Sequence, residues 1–160
     1  MPKKYTGKSP QQQKAEIESA LKTLPTRIAN LGVNHFKANF DNQGWEGEKW
    51  VKRKDKDGHP LLEKTRTLYR SIKKEVNANN VRVFVAAPAD KYATVHNEGF
   101  KGVVSVKRRG GNGRRSARTE GATFTRNMNI PQRKFIGKSD KLDKKANQLV
   151  EDTINKLLKP

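Results

Sequence analysis

The chain has no cysteine, few acidic residues and no long apolar run, and each shortage removes a class of function. Without cysteine there can be no disulfide framework, no thiol nucleophile and no cysteine ligand for zinc, and such a chain is compatible with a reducing compartment. A membrane-spanning helix needs about 20 consecutive apolar residues, and none is present, nor does an apolar block follow the basic N-terminus as a secretory signal requires. Only 32% of the 160 residues are hydrophobic, which predicts a single domain over 1–160 with a modest core and at least one segment left outside it. Acidic residues number 16 against 35 lysines and arginines, a formal charge of +19. A surface of that sign attracts nucleic acid or acidic protein and repels copies of itself.

What is present is organised around Thr65 to Phe100. Leu68, Tyr69 and Ile72 share one face of a short helical turn. Two strands follow, Lys74 to Val76 and Val81 to Ala87. In the second, Val81, Val83 and Val85 point opposite to Arg82, Phe84 and Ala86, the period of a half-buried strand. Asn77-Ala78-Asn79-Asn80 between them suits a tight turn, because asparagine tolerates left-handed backbone. Pro88 and Asp90 end the strand and open a second short helix. Tyr92, Val95 and His96 lie on one face of it, and Gly99 is placed to stop it.

Upstream, 1–8 is a basic, polar lead expected to fray. Ser9-Pro10 opens a helix, serine as cap and proline at the first helical position. Ile17, Leu21, Leu24, Ile28, Leu31, Phe36 and Phe40 recur at near-helical spacing as a core stripe. Pro25 is expected to kink or divide this helix, and a slip of phase near Gly32 favours two pieces. Asp41 to Leu62, rich in glycine and charge, predicts a long ordered loop. Trp45 and Trp50 within it have two readings: apolar anchors for the loop, which is favoured, or platforms for nucleic-acid bases.

Downstream, Val103 to Val106 predicts a short strand. Between Lys101 and Thr119 there are seven lysines and arginines and no acid. Such a run cannot pack, so 107–121 is expected to be a mobile basic loop, with Ala122 to Thr125 as the return limb of a hairpin. It lacks the ending and the following helix of a phosphate-binding P-loop. Lys107, Arg108, Arg109, Arg114, Arg115 and Arg118 are the candidate contacts for nucleic acid or a partner; the alternative is a solvated loop. Ile130 to Gly137 reads as a proline-fixed extended approach carrying Phe135 and Ile136 to a turn at Gly137. Phe135 is expected to pin the last helix on the sheet. That helix starts near Ser139-Asp140, with Leu142, Ala146, Leu149, Val150, Ile154 and Leu157 as its buried stripe. The fold class is α+β: a small antiparallel sheet packed against N-terminal and C-terminal helices, with a long basic loop.

The order of LPTRIANLG, NFDNQGWEGEKW, LEKTRTLYRSI, VRVFV, KYATVHNEG and IPQRKFIG resembles the phage virion morphogenesis family of Mu G-like and P2 S-like tail-completion proteins. The resemblance covers roughly Leu24 to Lys141. It is most specific at Tyr92, Ala93, His96 and Gly99 and at Pro131, Arg133, Phe135 and Gly137. Two departures stand out: Thr65-Arg66-Thr67-Leu68 where the family usually has threonine-glycine before the leucine, and the basic insertion between Lys107 and Thr119. The resemblance implies a small non-enzymatic protein that finishes the tail or its junction with the head, working as a ring. The expected partners are then copies of itself, other tail or neck proteins and DNA through its phosphates, with no membrane. The expected location is the virion, and the bacterial cytoplasm during assembly.

The residues offer little for chemistry. His35, His59 and His96 are not at metal-ligand spacing, and no metal or cofactor is expected. His96 is read as a core hydrogen-bonder. Ser71 has no nucleophile elbow around it. Glu46 and Glu48 sit in a wet, charged loop that does not raise a carboxyl pKa. Two non-enzymatic classes remain: a structural subunit that binds copies of itself and virion neighbours, and a nucleic-acid-binding module that uses the basic loop.

Overall fold

The computed structural model describes residues 9–52, 58–77, 80–107 and 123–158. The lead expected to fray, the turn residues Ala78 and Asn79, and the loop arginines Arg108, Arg109, Arg114, Arg115 and Arg118 lie outside these residues.

The first helix, α1 (Pro10–Asp41), opens on a capping box in which Ser9 and Gln12 satisfy each other's backbone N–H groups. It is one helix rather than the expected two, and Pro25 lies inside it. Proline costs this helix one backbone hydrogen bond. The capped first turn and the packing of the second half, where Ala29, Gly32, Phe36, Asn39 and Phe40 are buried, hold the helix together on either side. Gly32 is a point of close approach, since a Cβ there would stand 3.0 Å from Val83 Cγ2. The slip of hydrophobic phase thus marks a strand crossing the helix.

The loop expected over 41–62 contains a minimal ribbon, β1 (Gly44–Trp45) paired with β2 (Glu48–Lys49). A short helix, α2 (Thr67–Ser71), leads into the hairpin of β3 (Ile72–Asn77) and β4 (Asn80–Val85), in register from Ile72↔Val85 to Asn77↔Asn80. Arg66 adopts the left-handed backbone a glycine takes freely, at φ 53°. Its guanidinium lies over the Tyr69 ring at 4.7 Å and 3.7 Å from Glu63. Then come α3 (Asp90–Glu98), β5 (Phe100–Lys107), β6 (Thr123–Ile130) and α4 (Asp140–Leu158).

The class is α+β, as expected. The strands form three separate two-stranded antiparallel ribbons rather than one small sheet. α1 packs on the β3–β4 ribbon and on α4, and α4 rests on α1 instead of on a sheet. The stripe of α4 is covered only in part, since Ile154 is 47% exposed.

Phe40 is the hub of the core. Its ring meets Trp50 edge-on at 5.7 Å, Tyr69 at 5.8 Å and Phe135 at 5.1 Å. Leu61, Leu62, Leu68, Ile72 and Ala93 complete the cluster. The anchoring reading of the tryptophans holds: Trp50 is buried with its indole N–H donated to the Lys134 carbonyl at 2.8 Å, and Trp45 stacks on Phe36. Phe135 is fully buried, but it pins its segment to α1 and not to a sheet. Phe135→Ala is therefore expected to lower unfolding stability by about 3–5 kcal/mol, read as an earlier urea midpoint or as insoluble protein. An unchanged midpoint would contradict this packing.

Candidate functional site

The two motifs that carry the family resemblance come together in space. α3 ends at Glu98, and Gly99 turns the chain at φ +78°. A Cβ there would lie 3.0 Å from the Gln132 nitrogen and 3.2 Å from the Ile130 carbonyl oxygen. Glycine thus lets the segment from Pro131 to Gly137 run against the end of the helix. Arg133 N–H donates to the His96 carbonyl at 2.7 Å, and the Gln132 side chain donates to the Asn97 carbonyl at 3.2 Å. The Asn97 side-chain oxygen accepts the N–H groups of both Phe135 and Ile136, at 3.0 and 3.2 Å. On the far side Asn39 donates to the Phe135 carbonyl. The buried Arg133 guanidinium donates twice to the Val51 carbonyl, from Nε at 3.3 Å and Nη2 at 3.1 Å.

His96 is buried as expected. Tyr92 is 53% exposed, so it is not part of the buried face predicted for α3; it lays its ring edge-on to His96 at 4.3 Å. Ala93 takes the buried place instead. Asn97 was missed by sequence reasoning. Its signal was an asparagine two residues before a helix-stopping glycine, facing a segment with no strand partner. Together these motif residues and Asn97 form a structural clamp.

A second cluster has the composition of a catalytic triad without its wiring. Ser139 caps α4, accepting the Leu142 N–H on Oγ at 3.2 Å. Its Oγ is also 3.0 Å from His35 Nε2 and donates to Glu46 Oε1 at 2.5 Å. A serine hydroxyl has one proton. Here it goes to Glu46, so His35 Nε2 must be the N–H donor, and the imidazole cannot act as the base that activates serine. Ser139 is itself buried. The Ser139 bond holds the Glu46 carboxyl below its ordinary range, the reverse of the shift a general acid needs. Beside it a cleft of about 330 Å³ is lined by His35, Asn42, Glu46, Lys141 and Lys145. Among the described residues no cluster of histidine and carboxylate side chains could hold a metal ion.

The β5–β6 hairpin has a different character. Its register, from Phe100↔Ile130 to Lys107↔Thr123, places Phe100, Val104, Val106, Phe124, Met128 and Ile130 on one face together with Arg126. The other face carries Lys101, Val103, Ser105, Thr123, Thr125 and Asn127. The two strands pair with each other and make no extensive contact with any other helix or strand. Phe124 is 48% exposed. Lys107 closes the described part of this arm, and the other candidate basic contacts lie outside the described residues. The expected hairpin is present and is longer than the period-2 pattern suggested.

Residues 10–159, nearly the whole chain, match the phage virion morphogenesis family. The chain belongs to that family, and its role lies in virion assembly. Comparison with curated proteins and with solved structures found no match. No helix among the described residues is long and apolar enough to cross a membrane.

The cap of α4 has a pH signature. Burial first, then the charge of Lys145, lowers the pKa of His35 from 6.5; Glu46 opposes this and Lys141 adds to it. In the window below 6.5 and above its folded value, the unfolded chain binds the histidine proton more tightly than the native state. Stability is therefore expected to fall as pH falls through that window. Glu46, lowered from 4.5, contributes only further down. Urea midpoints measured below pH 6.5 should decline in the wild type and flatten in His35→Gln, which keeps an N–H donor for Ser139. Equal slopes would remove His35 from the cap.

Proposed function

We propose that this chain is a non-enzymatic structural subunit that completes the phage tail or its junction with the head, assembling with copies of itself into a ring and docking on other tail or neck proteins. The observation that carries this reading is the β5–β6 arm, whose apolar face is only partly covered within the chain, Phe124 being 48% exposed. A ribbon of two strands is marginal by itself in water, so its stable setting is an assembly. The clamp residues Tyr92, His96, Gly99, Pro131, Arg133, Phe135 and Gly137 keep the body rigid beneath the arm. The serine–histidine–glutamate cluster, wired as a helix cap, supports the absence of catalysis. Its place of action is the virion, reached from the host cytoplasm.

A second reading, nucleic-acid binding, is favoured by the charge of +19 and the acid-free run from Lys107 to Arg118. The two are separated in a phage whose copy of this gene is inactivated. The structural reading expects unjoined heads and incomplete tails, rescued by the supplied wild type; infectious particles without the protein contradict it. Replacing Arg108, Arg109, Arg114 and Arg115 with glutamine tests the arm's charge. If DNA is the partner, sequence-blind binding should lose part of a log–log salt slope of about 0.9 for each phosphate neutralised. If an acidic virion protein is the partner, DNA binding stays unchanged and rescue fails. Survival of both properties would reduce the segment to a solvated loop.

A further inference from the structure

The arm has a counterpart in the two long helices. Between the N-terminal half of α1 and the C-terminal half of α4 runs a groove of about 530 Å³, lined among others by Glu16, Ala20, Thr23, Asp152, Lys156 and Leu157. Arg27 donates to the Thr153 hydroxyl at 3.1 Å and ties the two helices together there. Ala20 and Leu157, both half-buried, are the groove's apolar lining. Neither half is covered by the β5–β6 ribbon of its own chain.

We propose that the apolar face of the β5–β6 arm of one copy packs into the α1–α4 groove of the next copy, an inference that rests on the self-assembling reading above. Three observations select this occupant. A two-stranded ribbon with one apolar face is stabilised by a helical layer against that face, and the groove is a two-helix layer lacking its third element. The arm carries a cation, Arg126, in the middle of its apolar face, and the groove offers the carboxylates of Glu16 and Asp152. Finally, a chain with 35 basic and 16 acidic residues meets copies of itself against strong repulsion. A groove lined by Glu16 and Asp152 beside Arg27 and Lys156 is charge-balanced, so approach there avoids that repulsion. Arm into groove is a head-to-tail contact, of the kind that closes into a ring when the rotation between copies allows it.

The asymmetry of the contact gives its test. Phe124→Asp disables the arm at an exposed position and Leu157→Asp the groove at a half-buried position one residue from the end of α4. In sedimentation of the full chain, each variant alone is expected to associate at least about tenfold more weakly than wild type, as expected when an interface anchor is lost. An equimolar mixture should form a discrete heterodimer, because one variant retains the groove and the other the arm. Since the chain has no cysteine, Met128→Cys and Thr23→Cys, the latter at an exposed position lining the groove, provide a second measurement that leaves folding largely untouched. Oxidation should link the two variants to each other and neither to itself. Charge reversal adds specificity: Arg126→Glu should weaken association and Asp152→Arg, combined with it, restore it. Wild-type-like association of both aspartate variants, or symmetric disulfide dimers, would overturn the arm–groove contact while leaving self-assembly standing. A wild type that sediments as a monomer at every concentration overturns the contact too. The role in joining heads and tails is then decided separately by the gene-inactivation experiment.

Discussion

Everything else in the body depends on how an irregular segment finds partners for its backbone. Residues 131–137 belong to no strand, yet they cross the centre of the domain, where unpaired N–H groups would be costly. The end of α3 supplies the missing acceptors: the His96 carbonyl for Arg133, and the Asn97 carboxamide for Phe135 and Ile136. Once these bonds form, the same few residues can serve the rest of the molecule. Phe135 enters the core against Phe40, its carbonyl accepts from Asn39, and Lys134 accepts the Trp50 indole. Arg133 takes the Val51 carbonyl. One short segment thereby joins α1, the tryptophan loop and α3, and Ser139 just beyond it caps α4.

This arrangement explains how a chain so poor in hydrophobic residues builds a body and still has an arm to spare. The core is assembled from few, large side chains, chiefly Phe36, Phe40, Trp50, Leu68 and Phe135, each burying much area per residue. The apolar residues of β5 and β6 are not drawn into it. High positive charge keeps free copies apart in solution, whereas an apolar ribbon acts only at contact.

Much of this was legible in the sequence because it is periodic. The alternation of Val81, Val83 and Val85 located β4. The heptad-like stripe from Leu142 to Leu157 located α4, and Gly99 marked the stop of α3. The hairpin carrying the basic segment was legible from Val103 to Val106 and Ala122 to Thr125. Other features depend on space rather than on period. Whether hairpins merge into one sheet is decided by which ribbon α1 covers, so the three separate ribbons could not be read from alternation. Pro25 argued for a break that the capped start and buried second half of α1 override. Asn97 is polar and unremarkable along the chain, and acquires its role only when 131–137 is laid beside it. His35, Glu46 and Ser139 are far apart in sequence, and their shared cap was invisible for that reason. Arg66 holds a left-handed turn with its guanidinium over the Tyr69 ring, a conformation that the residue type gave no reason to expect.

The central claim is that the motif residues build a clamped body from which the arm is structurally independent. Native-state hydrogen exchange on the full chain measures this directly. The amides of Arg133, Phe135 and Ile136 should exchange only through global unfolding, at the rate of the slowest amides in the second half of α1. Those of β5 and β6 should exchange faster, through local opening of the ribbon alone. Rapid exchange at Arg133, Phe135 and Ile136, or an arm as protected as the core in the isolated protein, would contradict the account.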